Sequence, residues 1–139
     1  ADSSAIDGAR ARKRAAAGSG VVLGGLNEGR GQAVASELGG MFVRGEGTGT
    51  AVADMVVAGS SAVGPLRALG RSARLGHRGR TMSADNEPME QSKFEFVLRV
   101  NLIGTFNMLS RAAGAMASTE PLDDDGQRGP IANLSRIHI

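Results

Sequence analysis

Val100-Asn101-Leu102-Ile103-Gly104-Thr105-Phe106-Asn107 lies inside the longest periodic stretch of the sequence. Around it, Phe94, Val97, Leu98, Leu102, Phe106 and Leu109 recur at intervals of three and four, which predicts one long amphipathic helix over residues 93–116. Downstream, residues 119–129 form a polar loop carrying Asp123, Asp124 and Asp125, and residues 131–134 then read as a short strand. Upstream, short apolar runs alternate with helical patterns. Residues 9–17 are rich in Ala and Arg and end at Gly18-Ser19-Gly20; Val21, Val22 and Leu23 follow as a β-branched start. Residues 28–38 place Ala33, Val34 and Leu38 on one helical face and stop at Gly39-Gly40, before a second strand at Met41-Phe42-Val43. Val52, Met55 and Val56 give residues 50–63 helical spacing that Gly59 weakens, and residues 66–69 are a third strand candidate after Gly64-Pro65. Strands alternating with helices predict βαβ units, a parallel sheet and the α/β class.

Composition agrees with a folded chain. The 139 residues suit one domain, residues 1–139, and 41% hydrophobic with 22% charged residues is near the globular average. With no Cys there is no disulfide framework, thiolate zinc site or cysteine nucleophile, and His77 and His138 are too few for a His-only metal site. No apolar run approaches the roughly 18–20 residues that cross a bilayer, so the expectation is a soluble, cytoplasmic protein with no membrane partner. Sixteen Lys and Arg against 14 Asp and Glu leave a net charge of +2, too small to indicate a polyanion partner by itself.

Three stretches resemble the short-chain dehydrogenase/reductase family: residues 15–18 through Asn27-Glu28-Gly29, residues 42–46, and residues 100–107. The last of these, with the acidic loop and Gly126-Gln127-Arg128-Gly129, is most similar to the branch acting on 3-hydroxyacyl-CoA thioesters and 17β-hydroxysteroids. The resemblance implies a Rossmann-like, doubly wound parallel sheet that binds NAD or NADP with its pyrophosphate on a helix N-terminus. It implies hydride transfer between an alcohol and a carbonyl, with a small-molecule alcohol, ketone or acyl-CoA as substrate. It also implies a homo-oligomer packed through the long helix at 93–116. In the family a Tyr is the acid/base, a Lys lowers its pKa, a Ser holds the substrate oxygen and an Asn anchors a proton-relay water.

Carried over position by position, the resemblance puts Asn101 at the catalytic Asn and Ser135 one residue before the Ser position, which Arg136 occupies. Such an offset in a strand turns a side chain to the opposite face. The glycine turn falls on Ala1, Ala5 and Asp7, with Ser4 and Ile6 at cofactor-contact positions between them; a carboxylate at residue 7 would repel a pyrophosphate. Gly25 stands where NAD users carry the ribose-binding acid, with Asn27 and Glu28 just beyond. Glu46 replaces the Asp that contacts adenine and Gly47 follows it. The Asn-Ala-Gly run corresponds to Arg71, Ala73 and Arg74, so Ala73 alone matches and two Arg are expected to crowd the inner ribose. The Tyr-x-x-x-Lys pair is expected some thirteen residues past the Ser position, beyond Ile139, and the family's first strand before residue 1. The sheet is therefore expected to be incomplete, with the second and third strands separated from the fourth and fifth, and the chain by itself to be inactive. The alternative reading is a non-catalytic pseudoenzyme or scaffold subunit. A basic nucleic-acid-binding module built on Arg67, Arg71, Arg74, Arg78 and Arg80 is weaker, because no aromatic residue is interleaved for base stacking. The run of three Asp lacks EF-hand spacing and reads as a solvated loop.

Overall fold

The computed structural model describes residues 3–45, 49–71, 75–76 and 79–134, with backbone alone at 3–7 and 51–52. The elements follow in the order α1 (Ser3–Ala16), β1 (Val22–Gly25), α2 (Glu28–Glu37), β2 (Met41–Arg44), α3 (Thr50–Val63), β3 (Leu69–Arg71), α4 (Gln91–Leu98), a π-helical segment (Arg99–Ile103), α5 (Gly104–Ala117) and β4 (Ile131–Asn133). Helix ends fall where the sequence supplies stops. Gly18 (φ 79°) and Gly39 (φ 60°) follow α1 and α2 in the left-handed conformation that glycine adopts without steric cost, and Gly64 (φ 131°) with Pro65 ends α3. At the start of α2, Asn27 caps the helix, its side-chain oxygen accepting from the Arg30 N–H at 3.0 Å.

Both strand pairs are parallel. Val22 to Gly25 of β1 run beside Met41 to Arg44 of β2, and Leu69 to Arg71 of β3 beside Ile131 to Asn133 of β4. Among the described residues these are two separate two-stranded sheets, as expected for a doubly wound sheet with its first strand absent. Helix α3 joins the halves: it lies against β1 and β2 on one side and α5 on the other, while α5 touches β3. The core is thin. Among the described residues Ala11, Ala35, Ala53, Ala112 and Met116 are the buried apolar ones, and no large side chain is fully buried. Small residues at Ala53 and Ala112 let α3 and α5 approach closely, and Arg111 Nε reaches Asp54 Oδ1 at 2.8 Å on the rim of that contact.

Three expectations shift. The third strand begins at Leu69 rather than 66, because its ladder starts where the Leu69 N–H meets the Pro130 carbonyl, and the preceding Arg67 is spent on the 119–129 loop. The first helix begins at Ser3, so Ser4 and Ile6 fall in its first turns; the glycines that would hold a loop open there are replaced by Ala5 and Asp7. The long helix is continuous from Gln91 to Ala117 but changes pitch in its middle.

Helix α2 sits on β2 through Gly31, where a Cβ would overlap the Phe42 ring. Gly31→Val is therefore expected to cost about 1–3 kcal/mol despite removing a flexible glycine from a helix, and Phe42→Leu in the same chain to restore part of the loss in denaturant melts. Helix α1 is tied to α2 by a bidentate pair: Arg12 Nε and Nη2 donate to the two Glu37 carboxylate oxygens at 2.7 Å each. The hydrogen bond from Arg12 holds Glu37 below its ordinary carboxylate pKa. A depressed folded-state pKa stabilises above the unfolded value and is lost as pH falls through the folded one. Glu37→Gln should thus lower the melting temperature at neutral pH, and the difference from the parent should shrink as pH falls below the ordinary carboxylate range and close only below the depressed folded-state value.

Candidate functional site

Asn101 is held from both ends. Its Oδ1 accepts from the Leu75 N–H at 2.8 Å and its Nδ2 donates to the Leu75 carbonyl at 2.7 Å, the two-way pairing a neighbouring strand would make. Leu75 lies in the loop after β3, so this pair links the carboxyl end of the second sheet to the long helix. The helix widens to π geometry over Arg99–Ile103, where the Gly104 N–H reaches back to the Arg99 carbonyl. A widened turn disturbs the regular carbonyl ladder and recurs at functional sites. Side chains meet the carbonyls here: the Arg71 guanidinium donates to the Val100 carbonyl at 2.8 Å, and the Thr105 hydroxyl donates to the Asn101 carbonyl.

Arg71 thus differs from its expected role. Its side chain is turned onto the helix backbone, and burial holds the guanidinium below its ordinary pKa. The guanidinium stays charged, since arginine does not lose its proton in proteins. Arg67 is likewise spent on the chain, donating to Thr119 Oγ1 at 2.8 Å and the Glu120 carbonyl at 2.6 Å. Arg80 is exposed, and Arg74 and Arg78 lie outside the described residues. Two members of the basic segment are therefore internal braces, which weakens the reading of the segment as a nucleic-acid-binding module.

At the carboxyl end of β1, Gly25 pairs in register with Arg44 and its carbonyl accepts from the Gly45 N–H at 3.0 Å. Asn27 is engaged as the α2 cap, and Glu28 Oε2 accepts from Arg44 Nη1 at 3.2 Å in an exposed pair. Gly24 and Gly25 leave this strand end free of side chains, with the Phe42 ring 3.7 Å from where a Gly25 Cβ would stand. The described residues here make an open strand end, a capped helix start and one exposed carboxylate that is paired with Arg44. The sites expected at Glu46, Gly47, Ala73 and Ser135 lie outside the described residues, as do His77 and His138; Ser4 and Ile6 are described by backbone alone.

Sequence reasoning places Asn101 on the long helix but misses its pairing with Leu75, Arg71 as its neighbour's brace and the π-helical turn. Nothing in the spacing marks that turn, because its extra residue leaves the apolar repeat at Leu98, Leu102 and Phe106 unbroken. The outer face of this helix carries a shallow groove of about 520 Å³ lined by Glu95, Leu98, Arg99, Leu102 and Ile103. In the acidic loop, Asp123 Oδ1 accepts from the Gln127 N–H at 2.9 Å, a turn-forming bond, and no cluster of metal-ligating side chains occurs among the described residues. No described helix is long and apolar enough to cross a membrane.

No protein-family model matches the chain. Over 44 residues it is 50% identical to 3-hydroxyacyl-CoA dehydrogenase type-2 of Rattus norvegicus, a match spanning 32% of this chain and 16% of that protein. The same identity and shares hold for the Homo sapiens protein. Among solved structures, 3-hydroxyacyl-CoA dehydrogenase type-2 from Mycobacterium avium superposes with a TM-score of 0.82 at 28% identity, covering 88% of this chain and 49% of that one. A short-chain dehydrogenase/reductase family protein superposes at 0.66 and 24% identity over 88% of this chain and 47% of its own length, a likeness of fold. The chain thus spans about half the length of the solved relatives it matches.

Proposed function

We infer, from a chain that belongs to the short-chain dehydrogenase/reductase family, that it forms the dinucleotide-binding part of an NAD(P)-dependent oxidoreductase that interconverts an alcohol and a carbonyl. The substrate class is the 3-hydroxyacyl-CoA thioester or hydroxysteroid. The observation that carries this reading is Asn101, paired two ways with Leu75 inside a π-helical turn. A side chain so fixed steadies this turn of the helix, where the Asn101 backbone carbonyl, which also accepts from the Thr105 hydroxyl, can order a water for proton relay. A bound nicotinamide would supply or accept the hydride. The chain's own contribution is the open end of β1 at Gly25, the carboxylate of Glu28 for a ribose hydroxyl, and the ordered helix at Asn101.

The sequence has no Tyr, so residues 1–139 alone do not carry the family's acid/base and are inactive by themselves. Leu98, Leu102 and Phe106 lie four residues apart and are 40%, 61% and 65% exposed, a stripe that supports homo-oligomer contact through the long helix. The same stripe favours the second reading, a scaffold subunit without catalysis. The location proposed is cytoplasmic.

Titration with NADH and NADPH, following nicotinamide fluorescence, separates the readings. Saturable enhancement below about 1 mM, without turnover of a 3-ketoacyl-CoA, is the expected result. No saturation at that concentration would leave the scaffold role.

A further inference from the structure

Residues 79–90, which lead into α4, fold into a small hairpin. Met82 and Pro88 form an antiparallel bridge, the Met89 N–H donates to the Thr81 carbonyl at 2.9 Å, and the Ser83 N–H donates to the Glu87 carbonyl at 2.8 Å. Asn86 takes φ 60° in the turn, a left-handed conformation that Asn adopts through its short polar side chain. At the mouth of this turn the Ser83 hydroxyl oxygen accepts two backbone N–H groups, from Asp85 at 3.2 Å and from Glu87 at 3.1 Å. Every residue from Gly79 to Pro88 is exposed, so the hairpin rests on these few bonds and opens at little cost in buried apolar surface.

The sequence before Ser83 is basic. Arg78 and Arg80 stand five and three residues ahead of it, in the run Arg78-Gly79-Arg80-Thr81-Met82-Ser83. Thr81 and Ser83 alone among the serines and threonines have an Arg three residues before them, and of these two only Ser83 has a second at five. Spaced guanidinium groups N-terminal to a hydroxyl are the charge pattern by which one class of serine/threonine kinases selects substrates. Beside the hydroxyl lies an open cleft of about 310 Å³ whose lining includes Arg80, Ser83, Glu87, Glu90 and Lys93. Lys93 Nζ pairs there with Glu90 Oε1 at 3.2 Å, an exposed contact that contributes little in water. The first turn of α4 has no acidic residue, and its cap residue, Glu90, makes no side-chain bond to the helix, which leaves the positive end of α4 uncompensated.

We propose that Ser83 is a phosphorylation site for a basic-directed serine/threonine kinase, and that the phosphoryl group, once attached, folds back onto the Asp85 and Glu87 N–H groups and Lys93 and firms the start of α4. In the transfer the Ser83 hydroxyl oxygen bonds to the γ-phosphorus of ATP as the bond from that phosphorus to the ADP oxygen breaks; ADP leaves and the hydroxyl proton passes to the kinase's carboxylate base. The product carries about two negative charges at neutral pH and presents new acceptor oxygens. The two N–H groups already aimed at Oγ then meet a charged acceptor, which makes stronger hydrogen bonds than a neutral hydroxyl. Glu87 and Glu90 oppose the added charge, but both are exposed and turn to solvent, which frees Lys93 for the phosphate. Negative charge at this place also complements the dipole of α4. The helix so firmed runs on to Asn101, yet the modification needs no cofactor and stands or falls separately from dinucleotide binding.

The test incubates the whole chain with magnesium ATP and the catalytic subunit of cyclic-AMP-dependent protein kinase, and locates phosphate by mass spectrometry of proteolytic peptides. The expected result is a single phosphate at Ser83, absent in Ser83→Ala and formed in Arg80→Gln with kcat/KM at least about tenfold lower. In the phosphorylated chain the Asp85 and Glu87 amides, and those of residues 91–94, should exchange about tenfold more slowly than in the unmodified chain. Arg80→Gln lies in an exposed loop and makes no contact that the fold depends on, so a slower reaction there reports recognition rather than unfolding. No incorporation into the folded chain, phosphate chiefly on Thr81 or elsewhere, Arg80→Gln modified as fast as the parent, or exchange at Asp85 and Glu87 unchanged by phosphorylation would each overturn the proposal.

Discussion

Gly129→Ala is expected to destabilise the chain by about 3–5 kcal/mol, more than other single methyl additions among the described glycines. Two costs coincide at this residue. Its φ of 138° lies where side-chain-bearing residues are strained, and a Cβ there would fall on the Arg67 carbonyl, with the Arg67 carbonyl carbon 2.7 Å away. Both neighbours are backbone, so no rotamer change relieves the overlap. Movement is resisted on each side. Arg67 is anchored by its bonds to Thr119 and Glu120, and Arg128 by bonds to the Thr119 and Gly126 carbonyls at 3.0 Å. Pushing Gly129 away therefore pulls Pro130 from the Leu69 N–H, the first bond of the β3–β4 ladder. Amide exchange at Leu69 should accelerate along with the fall in melting temperature. Gly126→Ala is the control, since Gly126 has φ 78° with open space around its Cβ position and should lose only about 1–2 kcal/mol. Equal losses at the two positions would show that the Arg67 contact is not what limits residue 129.

Much of this architecture is legible in the residues, and the parts that are not have a common physical cause. The span Thr50–Val63 of α3 and the start of α2 at Glu28 follow from local signals: Gly49 before, Gly64-Pro65 after, and Asn27 as a cap. Strand β3 is misplaced by three residues, because its start depends on β4, sixty residues away, through the Leu69–Pro130 bond and the close passage of Gly129 over Arg67. No local pattern contains that information. Arg71 shows the same limit at the site. Its sequence position suggested a cation crowding a ligand, whereas its partner is the Val100 carbonyl, which becomes available only when the long helix changes pitch. Asn101 is marked as a candidate only by the family motif around it; composition and periodicity alone treat it as an ordinary polar residue in a helix. The split sheet, by contrast, follows directly from strand order, since removing the first strand from 3-2-1-4-5-6 leaves two unconnected pairs.

Asn101→Ala should cost about 2 kcal/mol and release the loop after β3. The deletion removes both bonds to Leu75 and leaves a half-buried N–H and C=O with no side chain to meet them. Asn101→Asp discriminates between the two bonds. An aspartate keeps the acceptor for the Leu75 N–H but faces the Leu75 carbonyl with a second oxygen, so only one bond survives and like partial charges oppose. The stability of Asn101→Asp should recover as the carboxyl protonates at low pH, because the protonated group regains a donor; Asn101→Ala should show no such recovery. Arg71→Met provides the complementary test of the helix side. It removes the brace on Val100 while preserving much of the side chain's volume, and should speed amide exchange across Arg99–Ile103 without the pH-dependent recovery. If Asn101→Ala left exchange at Leu75 unchanged, the pairing would be incidental to the loop, and the constant placement of the Asn101 carbonyl, on which the proton-relay role depends, would have to come from the π-helical turn and Thr105 alone.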